Sequence, residues 1–318
     1  MAVISLLFSS TLYCPKNEVI LNKDSLIEIA ATEQKGVAEF IAELPLGSYY
    51  VKEIKTVDGY VLSDERFEFV TEYQGGKVEV QEVELELVNY PTKVQITKMD
   101  YSGQNVLSGA ELSLWNMEGE LIEQWVSSKE GHVMERLPVG KYILREESAP
   151  FGYVIAEDIV FEVLDTKELQ HVIMKDDLAK GKIRLQKSDG MTGKALKGVE
   201  FEVRSADGTV LETLITDENG FAESMDYEIG RYENGEFVEY VKYYVVETKA
   251  LDGYVLCDDA VEVVFEYVDG AVECIEYLAE IVNVPKVMVP ELPKTGDRWG
   301  WWWIVGGILV IAKLKYTK

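Results

Sequence analysis

Histidine is nearly absent from this chain: there are two in 318 residues, His132 and His171. Neither stands beside a nucleophile motif, so a Ser-His-Asp triad or a histidine metal site has little support, and a surface hydrolase would lack its constellation. Cysteine is almost as scarce. Cys14, Cys257 and Cys274 are an odd number and make no even disulfide framework. With Asp269-Gly270 taken as a two-residue hairpin turn, Cys274 falls opposite Phe265 and Cys257 opposite Val282, so free thiols are expected. Positive charge is short too: 31 Lys and Arg against 57 Asp and Glu leave a formal charge of -26, which argues against nucleic acid and anionic lipid as partners. The acidic excess reads as a solvated surface. In so acidic a chain, paired carboxylates are too common to be diagnostic. No cofactor or metal is expected.

What the chain has in abundance is repetition. Residues 50–91 align without a gap to residues 244–285, with roughly half the positions identical, including Asp-Gly-Tyr-Val-Leu at 58–62 and 252–256. A weaker third copy runs from Tyr142 through Glu146 to Gly152-Tyr153. Upstream signatures recur as Leu107-Ser108-Gly109-Ala110-Glu111-Leu112 and Leu196-Lys197-Gly198-Val199-Glu200-Phe201. Length alone suggests about two or three domains, and the repetition decides for three copies of one module. Alternation of apolar and polar residues dominates, with turns at Glu118-Gly119, Asp207-Gly208, Glu218-Asn219-Gly220 and Asp269-Gly270 and no long helical period before the tail. The modules therefore read as small β-sandwiches: 1–91, 92–178 and 179–285, with a tail at 286–318.

The same alternation locates the chemistry. Val94, Ile96 and Lys98 share one face of a strand, so burying the two apolar residues aims the lysine inward; Ile183, Leu185 and Lys187 repeat this. Tyr142, Leu144 and Glu146 are in phase, as are Tyr243, Val245 and Glu247. Val172, Met174 and Asp176 are in phase, as are Ile281 and Asn283, and Leu85, Leu87 and Asn89. Asp177 and Glu147 point the other way. Each complete module thus sends a lysine, a glutamate and an Asn or Asp towards one core. Burial raises a carboxyl pKa and lowers a lysine pKa, which favours a neutral amine beside a protonated acid. An amine held against a side-chain carbonyl can form an amide without a separate enzyme, with the glutamate polarising the carbonyl and moving protons.

At these residues the chain resembles the SpaA-type, Cna-B-type (prealbumin-like, Ig-like) domains of Gram-positive pilins and adhesins. In that family a glutamate lies in a box of the form Tyr-x-x-x-Glu-x-x-Ala-Pro-x-Gly-Tyr. Residues 142–153 fit it fully; 243–254 fit with Leu251 in the proline place, and 49–60 with Thr56 and Val57 in the Ala-Pro places. The resemblance implies intramolecular isopeptide bonds from Lys98 to Asp176 and from Lys187 to Asn283, with Glu146 and Glu247 catalytic. In the first module Glu53 and Asn89 remain, but the lysine, eleven residues before the signature glycine in the other copies, would precede Met1. That module is expected to lack its first strand. Residues 2–8 show no basic flank or small-residue cleavage site, so a fragment whose signal peptide lies upstream is preferred over a signal-peptide core.

The C-terminus is Leu292-Pro293-Lys294-Thr295-Gly296, an apolar run at 299–312, then Lys313, Lys315 and Lys318. This order resembles a cell-wall sorting signal. It implies a sortase substrate, held transiently by a transmembrane helix, cleaved after Thr295, and joined to peptidoglycan or a pilin subunit. An all-β, wall-anchored stalk or pilin-like protein is the expected whole, non-enzymatic apart from its single self-linking turnover. A polymerising pilin would need one more exposed lysine, for which Tyr13-Cys14-Pro15-Lys16-Asn17 is a faint candidate. A host-binding adhesin would need a ligand-binding insert, and the longest candidate is the tyrosine-rich loop at 228–240.

Overall fold

The computed structural model describes residues 1–13, 19–76, 82–286 and 311–314. All its regular elements are strands, in keeping with period-2 alternation and β-branched and aromatic enrichment. The first module carries β1 (Val3–Phe8), β2 (Leu12–Tyr13), β3 (Val19–Leu21), β4 (Leu26–Ala31), β5 (Gly47–Lys55) and β6 (Arg66–Thr71). The middle module carries β7 (Lys93–Asp100), β8 (Glu111–Asn116), β9 (Leu121–Val126), β10 (His132–Glu135), β11 (Gly140–Ser148), β12 (Ile159–Val163) and β13 (Leu169–Asp176). In the last module are β14 (Lys180–Asp189), β15 (Glu200–Ser205), β16 (Val210–Ile215), β17 (Phe221–Glu228), β18 (Gly230–Glu233), β19 (Glu236–Tyr240), β20 (Lys242–Lys249), β21 (Val261–Val264) and β22 (Cys274–Asn283). A short β23 (Ile311–Leu314) follows.

The middle and last modules are two-sheet sandwiches. One sheet, ordered β12-β11-β8-β9 or β21-β20-β15-β16, carries the glutamate strand beside the signature strand. The other, β10-β7-β13 or β17-β14-β22, pairs the lysine strand in parallel with the closing strand. Between the sheets lie Val94, Ile96, Leu112, Leu114, Leu144 and Met174 in one module and Ile183, Leu185, Phe201, Val245, Phe265 and Ile281 in the other. Each such side chain contributes about 1.5–3 kcal/mol by leaving water.

The first module has the same four-stranded sheet, β4-β1-β5-β6, and a small β2-β3 pair. Residues 82–90, which correspond to the closing strands, form no strand, and Val83, Leu85 and Val88 are exposed. The reason lies in the other modules, where the closing strand's partner is the lysine strand; no counterpart of β7 or β14 exists among the described residues here.

One expectation needs correction. Asp269-Gly270 does not join a hairpin: β21 pairs with β20 and β22 pairs with β14, so the chain crosses between sheets at this turn. An Asp-Gly pair shapes only local backbone, whereas a parallel closing strand requires a crossover. Cys257 and Cys274 are free thiols, and Cys14 lies outside the described residues. Most of the apolar run at 299–312 and all of residues 292–296 also lie outside them. Its last two residues belong to β23, which pairs antiparallel with the free edge of β22. Among the described residues no helix is long and apolar enough to cross a membrane.

Candidate functional site

Each complete sandwich buries one ionisable cluster between its sheets. In the middle module β7 exposes Lys93, Gln95 and Thr97 partially and buries Val94, Ile96 and Lys98, the pattern that a period of two produces. Glu146 reaches in from β11 and Asp176 from the end of β13, and the three side chains are fully shielded from solvent. Lys98 Nζ is 2.9 Å from Glu146 Oε2 and donates a short hydrogen bond to Asp176 Oδ1. β7 and β13 run parallel with Met174 level with Lys98, so Asp176 is the diagonal neighbour on the same face. Its rival Asp177 is exposed, and Glu147 bonds instead to Ser113 on the outer face of the sheet.

The last module repeats the arrangement with an amide. Lys187 Nζ donates to Glu247 Oε2 at 2.7 Å and to Asn283 Oδ1 at 2.5 Å, while Asn283 Nδ2 donates to Glu247 Oε1 at 2.7 Å. Glu247 therefore bridges the amine and the group that would leave. In the first module Glu53 is buried, and Asn89 Nδ2 donates to its two oxygens at 2.8 and 2.9 Å and to Thr56 Oγ1 at 2.5 Å. No lysine joins that pair among the described residues.

The electrostatics suit amide formation. Burial pushes the Asp176 carboxyl well above the usual carboxylate range, with the Lys98 charge pulling down and Glu146 pushing up, which favours its neutral acid form. A neutral acid is an electrophile where a carboxylate is not. Burial likewise drives the Lys187 amine down, against the opposing pull of Glu247. Among the described residues, the buried side-chain polar atoms without a hydrogen-bond partner are Glu146 Oε1 and Asp176 Oδ2, both in this cluster. A protonated Asp176 has an O–H to donate, and a side-chain hydrogen bond between Asp176 and Glu146 then joins the two carboxyl groups.

Sequence reasoning missed three supporting groups. The backbone N–H ten residues after the glutamate donates to it, Ser63 to Glu53 at 3.0 Å and Ala156 to Glu146 at 2.7 Å, a spacing visible in the repeats. The Phe201 ring lies 5.5 Å from Lys187 Nζ and cushions its charge. Buried Cys257 stands where Ser63 and Ala156 stand, and desolvation raises its thiol pKa.

Three segments, 11–84, 92–177 and 181–274, match the profile of the SpaA prealbumin-like fold domain. Among solved structures the chain is similar to the Bacillus anthracis TIE protein, at 27% identity and a TM-score of 0.52, over 89% of this chain and 48% of that one. It thus spans about half the length of that relative. It is also similar to BcpA, the major pilin subunit of Bacillus cereus, at 16% identity and a TM-score of 0.41, over 90% and 95% of the two chains. The streptococcal ancillary pilin aligns at 21% identity with a TM-score of 0.27, over 77% of this chain and 76% of that one. No curated protein matches.

Proposed function

The chain belongs to the SpaA prealbumin-like fold domain family, which it carries in three tandem copies, and on that premise we propose that it is a pilin-like surface stalk with self-made covalent struts. The observation that carries the reading is the last module's cluster, where one glutamate bridges Lys187 Nζ and the amide of Asn283 in a site sealed from solvent.

The steps balance without a cofactor. In the middle module the Lys98 amine attacks Asp176 Cγ. An N–C bond forms, the C–O bond to the acid hydroxyl breaks, and Glu146 passes an amine proton to the departing oxygen, so amine and acid become amide and one water. In the last module the C–N bond to Asn283 Nδ2 breaks instead and ammonia leaves, with Glu247 carrying the proton. Each site turns over once, which makes the chain a structural protein rather than an enzyme. In the first module Glu53 and Asn89 form the incomplete version of the same site.

Mechanical logic favours this use. The lysine and closing strands of a module are parallel neighbours, so a pull on the module's two ends shears them against each other. A bond between them carries that load directly, and the 78 and 96 positions of sequence separation it spans leave the load path.

The modules are taken as 1–91, 92–178 and 179–285, and the remainder, 286–318, as a sorting signal with a membrane segment at 299–312. A sortase cysteine attacks the Thr295 carbonyl, the Thr295–Gly296 amide breaks, and an amine of peptidoglycan or of a pilin subunit takes over the acyl group. The product sits on the cell wall of a Gram-positive surface. The adhesin reading is the weaker one, because the aromatic rings of the insert at 228–240 that could contact a ligand, Tyr232 and Phe237, pack against the middle module. Two assays test the proposal. With a sortase and a triglycine acceptor, the chain should lose its tail after Thr295, and Thr295→Ala should not. On denaturing electrophoresis the chain should migrate faster than its Glu146→Gln/Glu247→Gln variant; equal mobility contradicts the struts.

A further inference from the structure

The tyrosine-rich loop at 228–240 has a structural role that the strand pattern does not reveal. It is an insertion. The hydroxyls of Tyr49 and Tyr142 donate to the carbonyls of Pro45 and Pro138, four residues upstream, whereas the equivalent Tyr243 donates to Glu228, fifteen upstream. The inserted residues form the β18–β19 hairpin. Their rings leave their own module's core and pack on the loop of residues 151–155 in the middle module. Phe237 meets Phe151 edge to face at 4.8 Å between centroids, and Tyr232 meets Tyr153 at 5.5 Å. Hydrogen bonds cross in both directions: Tyr232 Oη donates to the Gly152 carbonyl and Tyr153 Oη to the Gly235 carbonyl, both at 2.9 Å. The approach is close on both sides, at glycines whose φ values of 89° and 79° lie in the left-handed region. A Cβ on Gly152 would fall 2.4 Å from Tyr232 Oη, and one on Gly235 would fall 2.7 Å from Leu107 Cδ2.

The loop that the hairpin grips belongs to the middle module's cluster. It follows Glu146 on the same box, and just beyond it the Ala156 N–H donates to Glu146 Oε2. Tyr153 is bridged to Leu178, two residues past Asp176. Asp176, Tyr153, Tyr232 and Gly235 line one cavity of about 310 Å³. The last module's hairpin is thus an outer wall of the space beside Asp176.

We infer that the β18–β19 hairpin is a positioning element for the Lys98–Asp176 link: by clamping the 151–155 loop it holds Glu146 in register and limits water at Asp176, so that the link forms efficiently only once the last module has folded against the middle one. This rests on the isopeptide reading above. Tyr232 and Phe237 are the positioning residues; neither touches the reacting atoms. The chemistry is the amide-forming step already written, one water released for one amide made. Its consequence is an order of assembly: the last strut closes on its own, and the middle strut closes when the joint has formed.

The test uses the full chain made in a cell-free reaction, quenched at intervals and digested, with the Lys98–Asp176 and Lys187–Asn283 linked peptides followed by mass spectrometry. In Tyr232→Ala/Phe237→Ala, the Lys98–Asp176 link should form roughly tenfold to a hundredfold more slowly, the scale of loss that slight misplacement causes. The Lys187–Asn283 link should keep its wild-type rate, and Tyr232→Phe should restore most of the middle link's rate through its ring. A wild-type rate for the middle link in the double variant overturns the inference. If the double variant loses both links, Phe151→Ala decides by the same readout, since it empties the contact from the other side: slowing of the middle link alone supports the clasp, and no slowing refutes it. Absence of both links from the wild-type chain would instead overturn the isopeptide reading itself.

Discussion

Replacing Glu146 by glutamine keeps the shape of the middle cluster and removes its acid, so it should leave Lys98 and Asp176 packed but unlinked. The consequence can be sized. Lys98 and Asp176 are 78 positions apart, and closing a loop of that length removes about 4.5 kcal/mol of unfolded-state entropy in the loop-closure account. For a domain of fewer than a hundred residues, each kcal/mol shifts Tm by about 4–8 °C, so the middle module's transition should fall by roughly 18–36 °C. A competing effect must be separated, because Glu146 also contacts the Lys98 amine at 2.9 Å, and a hydrogen bond to a charged group contributes about 1.5–3 kcal/mol. A double-mutant cycle does this. In an Asp176→Ala background neither chain can form the link, so the same Glu146→Gln swap should there cost only the smaller contact term. Scanning calorimetry of the four chains reads both differences. If Glu146→Gln lowers Tm by the same amount in both backgrounds, there is no strut and the reasoning fails.

Other consequences follow from the same geometry. Asp176→Asn should still link to Lys98, but with release of ammonia in place of water, and Asn283→Asp should do the reverse; since the linked peptide is the same amide in either case, its mass should equal the parent's while lying below the variant's own unlinked sequence mass by one ammonia or one water respectively. Under force applied through the chain termini, the last module should yield no unfolding step, whereas Glu247→Gln should add roughly 300 Å of contour length, from 96 positions at about 3.3–3.6 Å each, less the folded span. A pH dependence should appear where linking is blocked. In Lys98→Met the Asp176 carboxyl stays raised by burial, and loss of the amine removes the charge that lowered it. Its folded pKa then exceeds the unfolded value of about 3.9, so the native state holds the extra proton. Stability should be fullest below about pH 4 and decline as pH rises through 8. Lys98→Met/Asp176→Asn should lack that slope in denaturant titrations, and an identical slope would refute it.

The parts of this architecture that could be read from the sequence are those governed by the two-residue period of a strand. Lys98, Lys187, Glu146, Glu247 and Asn283 sit in phase with core apolar residues, and the structure puts them inside for that reason. What alternation cannot encode is partnership between distant strands. The parallel pairing of β13 with β7 and of β22 with β14 depends on which sheet the chain returns to, and Asp269-Gly270 suggested a hairpin because a turn dipeptide carries no such information. The clasp was hidden for a similar reason. Tyr232, Phe237 and Tyr240 look like a polar-aromatic loop until the middle module's Phe151 and Tyr153 are placed beside them.

The central claim, that two modules tie their own first and last strands together, is tested most directly by the intact mass of the purified full chain under denaturing conditions. The account predicts a mass below that of the sequence by one water and one ammonia, with the water restored in Glu146→Gln and the ammonia in Glu247→Gln. A folded chain with its full sequence mass would contradict it.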